Sequence, residues 1–127
     1  MMPGVRTVIG VGIAGACGAL ARWAVSAWFG RRFPDFPWGT LVINVTGSFL
    51  LGLLFVVLTE RSTASPAFRV SLTTGLLGAY TTFSTFSLET VRMVEDGAIG
   101  AAAANVAASL TLGLVGVWLG VWLGRAM

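Results

Sequence analysis

The sequence predicts an all-α membrane protein with four transmembrane helices, and three observations carry that prediction. Of the 127 residues, 56% are hydrophobic and only 10% charged, and the mean hydropathy is +0.87, whereas a water-soluble domain carries about 25% charge. The apolar residues collect into four runs, Val5 to Phe29, Trp38 to Thr59, Val70 to Val91 and Ala98 to Leu123, each near the roughly 20 residues that a helix needs to cross a bilayer. Polar residues inside the runs recur at helical spacing on one side, the pattern of a stripe that faces protein or water rather than lipid. The runs fill nearly the whole chain, so residues 1–127 read as a single four-helix transmembrane domain.

In the first run, Gly12, Gly15, Ala16, Gly18 and Ala19 are small residues that let membrane helices approach closely. Arg6 followed by Val8 to Leu20 resembles a signal peptide, with Ala14 to Cys17 faintly like a lipoprotein cleavage site. The apolar character continues through Trp28 and Phe29, however, and three more runs follow, so a packing helix is expected. Cys17 is the only cysteine, which excludes an intrachain disulfide. Arg22 lies well inside the run, where an arginine costs about 2.5 to 3.5 kcal/mol at the bilayer centre. Two compatible readings follow: it snorkels to an interface marked by Trp23, Trp28 and Phe29, or it lines a water-filled vestibule and concentrates anions.

Gly30 to Pro37, with Arg31, Arg32, Asp35 and two prolines, reads as a loop because each proline biases the residue before it away from helix. In the second run Thr40, Asn44, Gly47 and Ser48 stand at i, i+4, i+7 and i+8 and share one face. Asn44 is the sharpest of these, since an amide in hydrocarbon needs partners. It is either interhelical glue, worth about 1 kcal/mol or less, or a source of two donors facing a cavity.

After a polar, turn-like loop from Glu60 to Pro66, the third run reaches Gly75 to Ser87. This stretch crowds two glycines, five Ser/Thr hydroxyls (Thr81, Thr82, Ser84, Thr85, Ser87) and three aromatics into one span. Glycines weaken a helix, and Ser/Thr side chains offer the backbone other partners, so the residues allow a broken helix whose freed backbone groups line a cavity. They equally allow an intact helix whose hydroxyls bond the preceding turn. Phe83 and Phe86 lie three apart, the usual spacing of core residues, but among hydroxyl donors. Ring edges carry partial positive charge, so such rings suit a small anion that must be held weakly enough to leave. Glu89, Arg92, Glu95 and Asp96 mark the exit from this run.

The fourth run repeats the one-sided pattern with Asn105, Ser109 and Gly113, continued by Gly116 and Gly120. The polar stripes of runs two and four form two tracks that could meet the third run's hydroxyls along a common aqueous route. With four crossings, Arg6, Arg61, Arg69 and Arg125 lie on one side, and Arg31, Arg32 and Arg92 on the other, with Arg22 added if it snorkels there. Orientation follows the Lys/Arg bias of short loops, and this bias is nearly nil. Insertion in both directions makes an antiparallel dimer possible, the two-chain analogue of an inverted repeat.

Gly15 to Trp23, Gly39 to Gly47 and above all Gly75 to Ser87, with its Thr-Thr-Phe-Ser-Thr-Phe core, resemble the three signature stretches of the Fluc/CrcB fluoride channel family, and the likeness covers all four runs in order. The resemblance implies an antiparallel dual-topology homodimer with a broken third helix and two fluoride pathways. It implies passive export of fluoride across the inner (cytoplasmic) membrane and a structural Na⁺ on the two-fold axis. Phe83 and Phe86 correspond to the family's pore phenylalanines, Asn44 to its pore amide, Arg22 to its vestibule arginine, and Thr40 and Ser109 to its polar track. Thr82, Ser84 and Thr85 match its hydroxyl cluster, and the backbone carbonyls of Gly78 and Thr81 its Na⁺ ligands. One departure is that Asn105 stands where the family often has a tyrosine, and Gly113 follows it.

The alternative is a small dual-topology, proton-coupled multidrug transporter. That needs a titratable carboxylate inside a span, whereas the nearest acid, Glu89, lies toward a helix end. An enzyme is not expected, because the chain has no histidine and no intramembrane acid and base pair. Nor is a nucleic-acid partner.

Overall fold

The structure, a computed structural model, describes residues 3–127. It is all helical, with four crossings. Among the described residues three helices are long and apolar enough to cross a membrane: α1 (Val5–Arg32), α2 (Trp38–Thr59) and the last, α6 (Ile99–Ala126). The remaining crossing is made of pieces. It begins as α3 (Pro66–Val70), widens into a π-helical segment (Ser71–Leu77), resumes as α4 (Gly78–Tyr80), breaks at Thr81 and Thr82, and restarts as α5 (Phe83–Glu95).

Local chemistry explains the boundaries. Ser65 caps α3, its Oγ accepting from the Phe68 N–H at 3.3 Å, and Pro66 follows in the first turn, where a missing N–H costs nothing. Within the π-helical segment, the hydroxyls of Ser71 and Thr73 donate to the carbonyls of Ala67 and Arg69 at 2.7 and 2.9 Å, the i−4 back-bonding that weakens and bends a regular α-helix. At the break Thr81 has ψ 157° and Thr82 has φ −152° and ψ 111°, both extended. Gly78, which the sequence suggested as a weak point, has helical angles (φ −63°, ψ −34°), so the chain breaks beyond it. Gly97, at φ +79°, makes the left-handed turn into α6.

Packing is by close backbone approach. A Cβ on Gly18 of α1 would overlap the Leu76 carbonyl oxygen, and one on Gly75 would lie 2.9 Å from the Val11 carbonyl oxygen, so α1 rests directly on the π-helical segment. Against α2, α6 uses Gly116, Gly120 and Gly124; a Cβ on Gly120 would overlap the Phe49 carbonyl oxygen. The core is thin, centred on Leu41, Ile43, Val56, Leu77 and Phe86. Large apolar side chains such as Ile9, Ile13 and Leu20 on α1 and Leu114, Trp118 and Trp122 on α6 point outward, as a lipid-facing surface requires.

The two ends are distinct. At one, Arg125 pairs with Glu60 at 2.9 Å and Arg61 donates to the Gly124 carbonyl at 2.9 Å, tying the end of α6 to the loop after α2. The Arg125 guanidinium holds the exposed Glu60 carboxyl below its ordinary value, so this pair stays charged near neutrality. At the other, the loop after α1 meets the end of α5 around a shared cavity containing Asp35, Glu89, Arg92 and Asp96.

Candidate functional site

The break in the third crossing is held open by one side chain. Asn44 of α2 accepts from the Thr82 N–H through Oδ1 at 2.8 Å and donates to the Thr82 carbonyl through Nδ2 at 3.0 Å. Both backbone polar groups of a non-helical residue are thereby satisfied inside a membrane crossing, where an unpartnered one is costly. The Thr82 N–H is therefore unavailable to the Gly78 carbonyl, its i−4 partner in a continuous helix. Thr82 also caps α5: its Oγ1 accepts from the Thr85 N–H at 3.2 Å and donates to Thr85 Oγ1 at 2.9 Å, with Ser84 Oγ 3.4 Å away. The Thr85 N–H is likewise withdrawn from the Thr81 carbonyl. The carbonyls of Gly78 and Thr81 are thus both released from helical bonding.

Around this break lies a cavity of about 290 Å³. Asn44, Gly47 and Ser48 line it from α2, Ser109 from α6, and Thr73, Gly78, Thr81, Thr82, Phe83 and Phe86 from the third crossing. No ionisable side chain is among its lining residues. The Ser109 hydroxyl is buried with no hydrogen-bond partner, and only one of the two Asn44 amide protons is engaged, by Thr82; buried polar groups are normally paired, so both donors are available to a ligand. Phe83 and Phe86 stand with ring centroids 5.6 Å apart at 48°, Phe86 buried at 8% exposure and Phe83 at 76% exposure. An open-sided groove with neutral donors and ring edges can replace the hydration of a small anion without a charged side chain to trap it.

The structure thus brings together Asn44, Thr82, Phe83, Phe86 and Ser109 with the peptide units of Gly78 and Thr81. Ser84 and Thr85 lie beside the cap, outside the cavity lining. Thr40 is buried but turns elsewhere: its hydroxyl donates to Glu89 Oε1 at 2.9 Å, and it lines a smaller cavity of about 70 Å³ with Ser26 and Glu89. Arg22 forms no side-chain hydrogen bond or ion pair among the described residues and lines none of these cavities, though Ser26 and Gly30 of the small cavity follow it at successive steps of four. Asn105 faces Thr90 rather than the groove.

Glu89, read from the sequence as an exit marker lying toward a helix end, is a further candidate. It is half-buried, lines both the small cavity beside Thr40 and the cavity shared with Asp35, Arg92 and Asp96, and its Oε2 is buried with no partner. The available signal was its position three residues after Phe86, which places it on the same side of α5.

Residues 9–121 match the family described as CrcB-like protein, Camphor Resistance (CrcB). The chain is 49% identical over 116 residues to a protein of Acidobacterium capsulatum named fluoride-specific ion channel FluC, the overlap covering 91% of this chain and 93% of that one. It is 47% identical over 125 residues to the protein of the same name from Hydrogenovibrio crunogenus, covering 95% and 92% respectively. A Methylococcus capsulatus protein, also so named, is 47% identical over 125 residues, and this chain spans 54% of its length. The match runs through all four crossings, and the chain belongs to the CrcB family.

Proposed function

We propose that the protein is a fluoride-selective channel that exports fluoride passively across the cytoplasmic membrane. The observation that carries this reading is the groove of about 290 Å³ lined by no ionisable side chain, in which Ser109 presents a hydroxyl with no protein partner and Asn44 the amide proton not engaged by Thr82, beside the Phe83 and Phe86 ring edges. Fluoride is small and strongly hydrated, so a selective path must replace its water with closely spaced donors, and larger halides fit that spacing poorly. Hydrogen fluoride enters cells by crossing the membrane and dissociates in a neutral cytoplasm. A negative-inside potential then drives the anion out at about 2.3 kcal/mol per 100 mV. The groove lacks the carboxylate that a proton-coupled multidrug transporter requires.

The working unit in this proposal is an antiparallel homodimer of oppositely inserted chains. Phe83 is largely exposed on a single chain and the groove is open on one side, which suits closure by a second copy. The donor set at the break fits a structural Na⁺. The carbonyls of Gly78 and Thr81, freed from helical bonding, are hard oxygen ligands, and two from each chain would meet at the two-fold axis. Bound there, the ion supplies a fixed charge that ties the two breaks together. Arg22 concentrates anions at the vestibule, Thr40 lies on the approach from the mouth, and Thr82, Ser84 and Thr85 hold the turn that aims Phe83 and Phe86.

The test is efflux of fluoride from liposomes loaded with potassium fluoride. Fast efflux that excludes chloride is expected from the wild type, and liposomes that retain their fluoride would overturn the proposal.

A further inference from the structure

Asn105 is among the most buried polar side chains in the molecule, at 1% exposure, yet it lines none of the cavities described above. Its Nδ2 donates to Thr90 Oγ1 at 2.9 Å, and Thr90 Oγ1 donates to the Phe86 carbonyl at 2.8 Å. A threonine hydroxyl has one proton. With that proton on the Phe86 carbonyl, Thr90 can only accept from Asn105, so the relay runs in one direction, from α6 to the backbone of a groove residue. Among the described residues this is the only hydrogen bond between α5 and α6.

The break makes such a link consequential. Because Thr81 and Thr82 are extended, helical phase does not carry over from α4 to α5, and the rotation of α5 about its axis is set by contacts of its own. Asn44 pins its start at Thr82, Thr40 meets Glu89, and Asn105 holds Thr90 from the α6 side. Phe86 lies midway between the Thr82 and Thr90 pins. Ser109 follows Asn105 by one turn on α6, so the same link sets the Ser109 hydroxyl against the Phe86 ring across the groove.

We infer that Asn105 is a positioning residue for the pathway, acting through Thr90 to fix the rotation of α5 and hence the placement of Phe86 opposite Ser109, and that it is not itself a ligand of the ion. The inference rests on the fluoride-channel reading above.

The experiment compares Asn105→Leu, Thr90→Val, their combination and Thr90→Ser in fluoride-loaded liposomes, reading fluoride efflux and chloride exclusion per folded protein. Asn105→Leu and Thr90→Val are each expected to slow efflux by about tenfold, the scale of one lost buried hydrogen bond expressed as a rate, and to weaken chloride exclusion. Their combination should be no worse than either alone, because both break the same link. Thr90→Ser keeps the hydroxyl and should recover what Thr90→Val loses. Wild-type efflux and selectivity in Thr90→Val, whether or not the melting temperature falls, would overturn the inference. So would a defect confined to Asn105→Leu, the signature of a direct ion ligand. Should Asn105→Leu fail to fold, the Thr90→Val and Thr90→Ser pair decides alone. A wild type that does not conduct fluoride refutes the channel itself, an outcome distinct from these.

Discussion

Asn44 engages both backbone polar groups of Thr82, and the two substitutions that remove its amide separate folding from permeation. Asn44→Leu leaves the Thr82 N–H and carbonyl unpaired at the break, each a loss of about 1 to 3 kcal/mol, so thermal unfolding in detergent should show a clear fall in stability. Asn44→Asp keeps an acceptor for the Thr82 N–H and should lose less stability. It places a negative charge in an otherwise uncharged groove, however, and like-charge repulsion at close range amounts to several kcal/mol in a partly buried site, so fluoride efflux should fall by at least about tenfold. Ser109 supplies the opposite case. Its buried hydroxyl bonds nothing, so Ser109→Ala removes an unsatisfied group and should leave stability within about 0.5 kcal/mol of wild type while slowing efflux. A Ser109→Ala protein that conducts like the wild type would take Ser109 off the pathway.

At the scale of elements, what the sequence makes legible is what depends on local pattern. The bounds of the second run, Trp38 to Thr59, are those of α2, because an apolar run between prolines and a polar turn is a local property. The glycines and hydroxyls of Gly75 to Ser87 allow an intact or a broken third helix alike, and only the family resemblance implies the break. Gly75 and Gly78 sit in helical turns, and the chain departs from helix at Thr81 and Thr82, where Asn44, 38 positions away in sequence, supplies the missing partners. No window of the third run contains that information. The π-helical segment was unread for the same reason, since α1 packs directly against it across Gly18 and Gly75. Thr40 shows the limit of periodicity: spacing placed it on the stripe with Asn44, while its partner Glu89 lies on another helix. Gly18→Val tests the packing argument. Its side chain would be driven into the Leu76 backbone, costing about 1 to 3 kcal/mol. Gly12→Val on the same helix meets open space and should stay within about 0.5 kcal/mol, as read by melting of the purified protein.

For the whole molecule, charge placement and fold lead to a prediction about assembly. The pairings of Arg125 with Glu60 and of Arg61 with the Gly124 carbonyl put the end of α6 and the loop after α2 at one end, where Arg6, Arg61, Arg69 and Arg125 gather against Arg31, Arg32 and Arg92 at the other. Four against three gives the insertion machinery little to choose by, and a single chain leaves the groove open beside an exposed Phe83. If the channel is a pair of oppositely inserted chains, fixing every chain in one orientation removes the partner without touching the groove. Ser62→Lys with Thr63→Lys adds two charges to the loop after α2 and should hold that loop on the cytoplasmic side; Asp35→Lys with Glu95→Lys should hold the opposite end there. Reporter fusions at the C-terminus check that each variant takes a single, opposite orientation. Neither variant alone should support fluoride efflux from cells, and the two expressed together should restore it. Full efflux from either variant expressed alone would show that parallel or single chains conduct and would remove the antiparallel dimer.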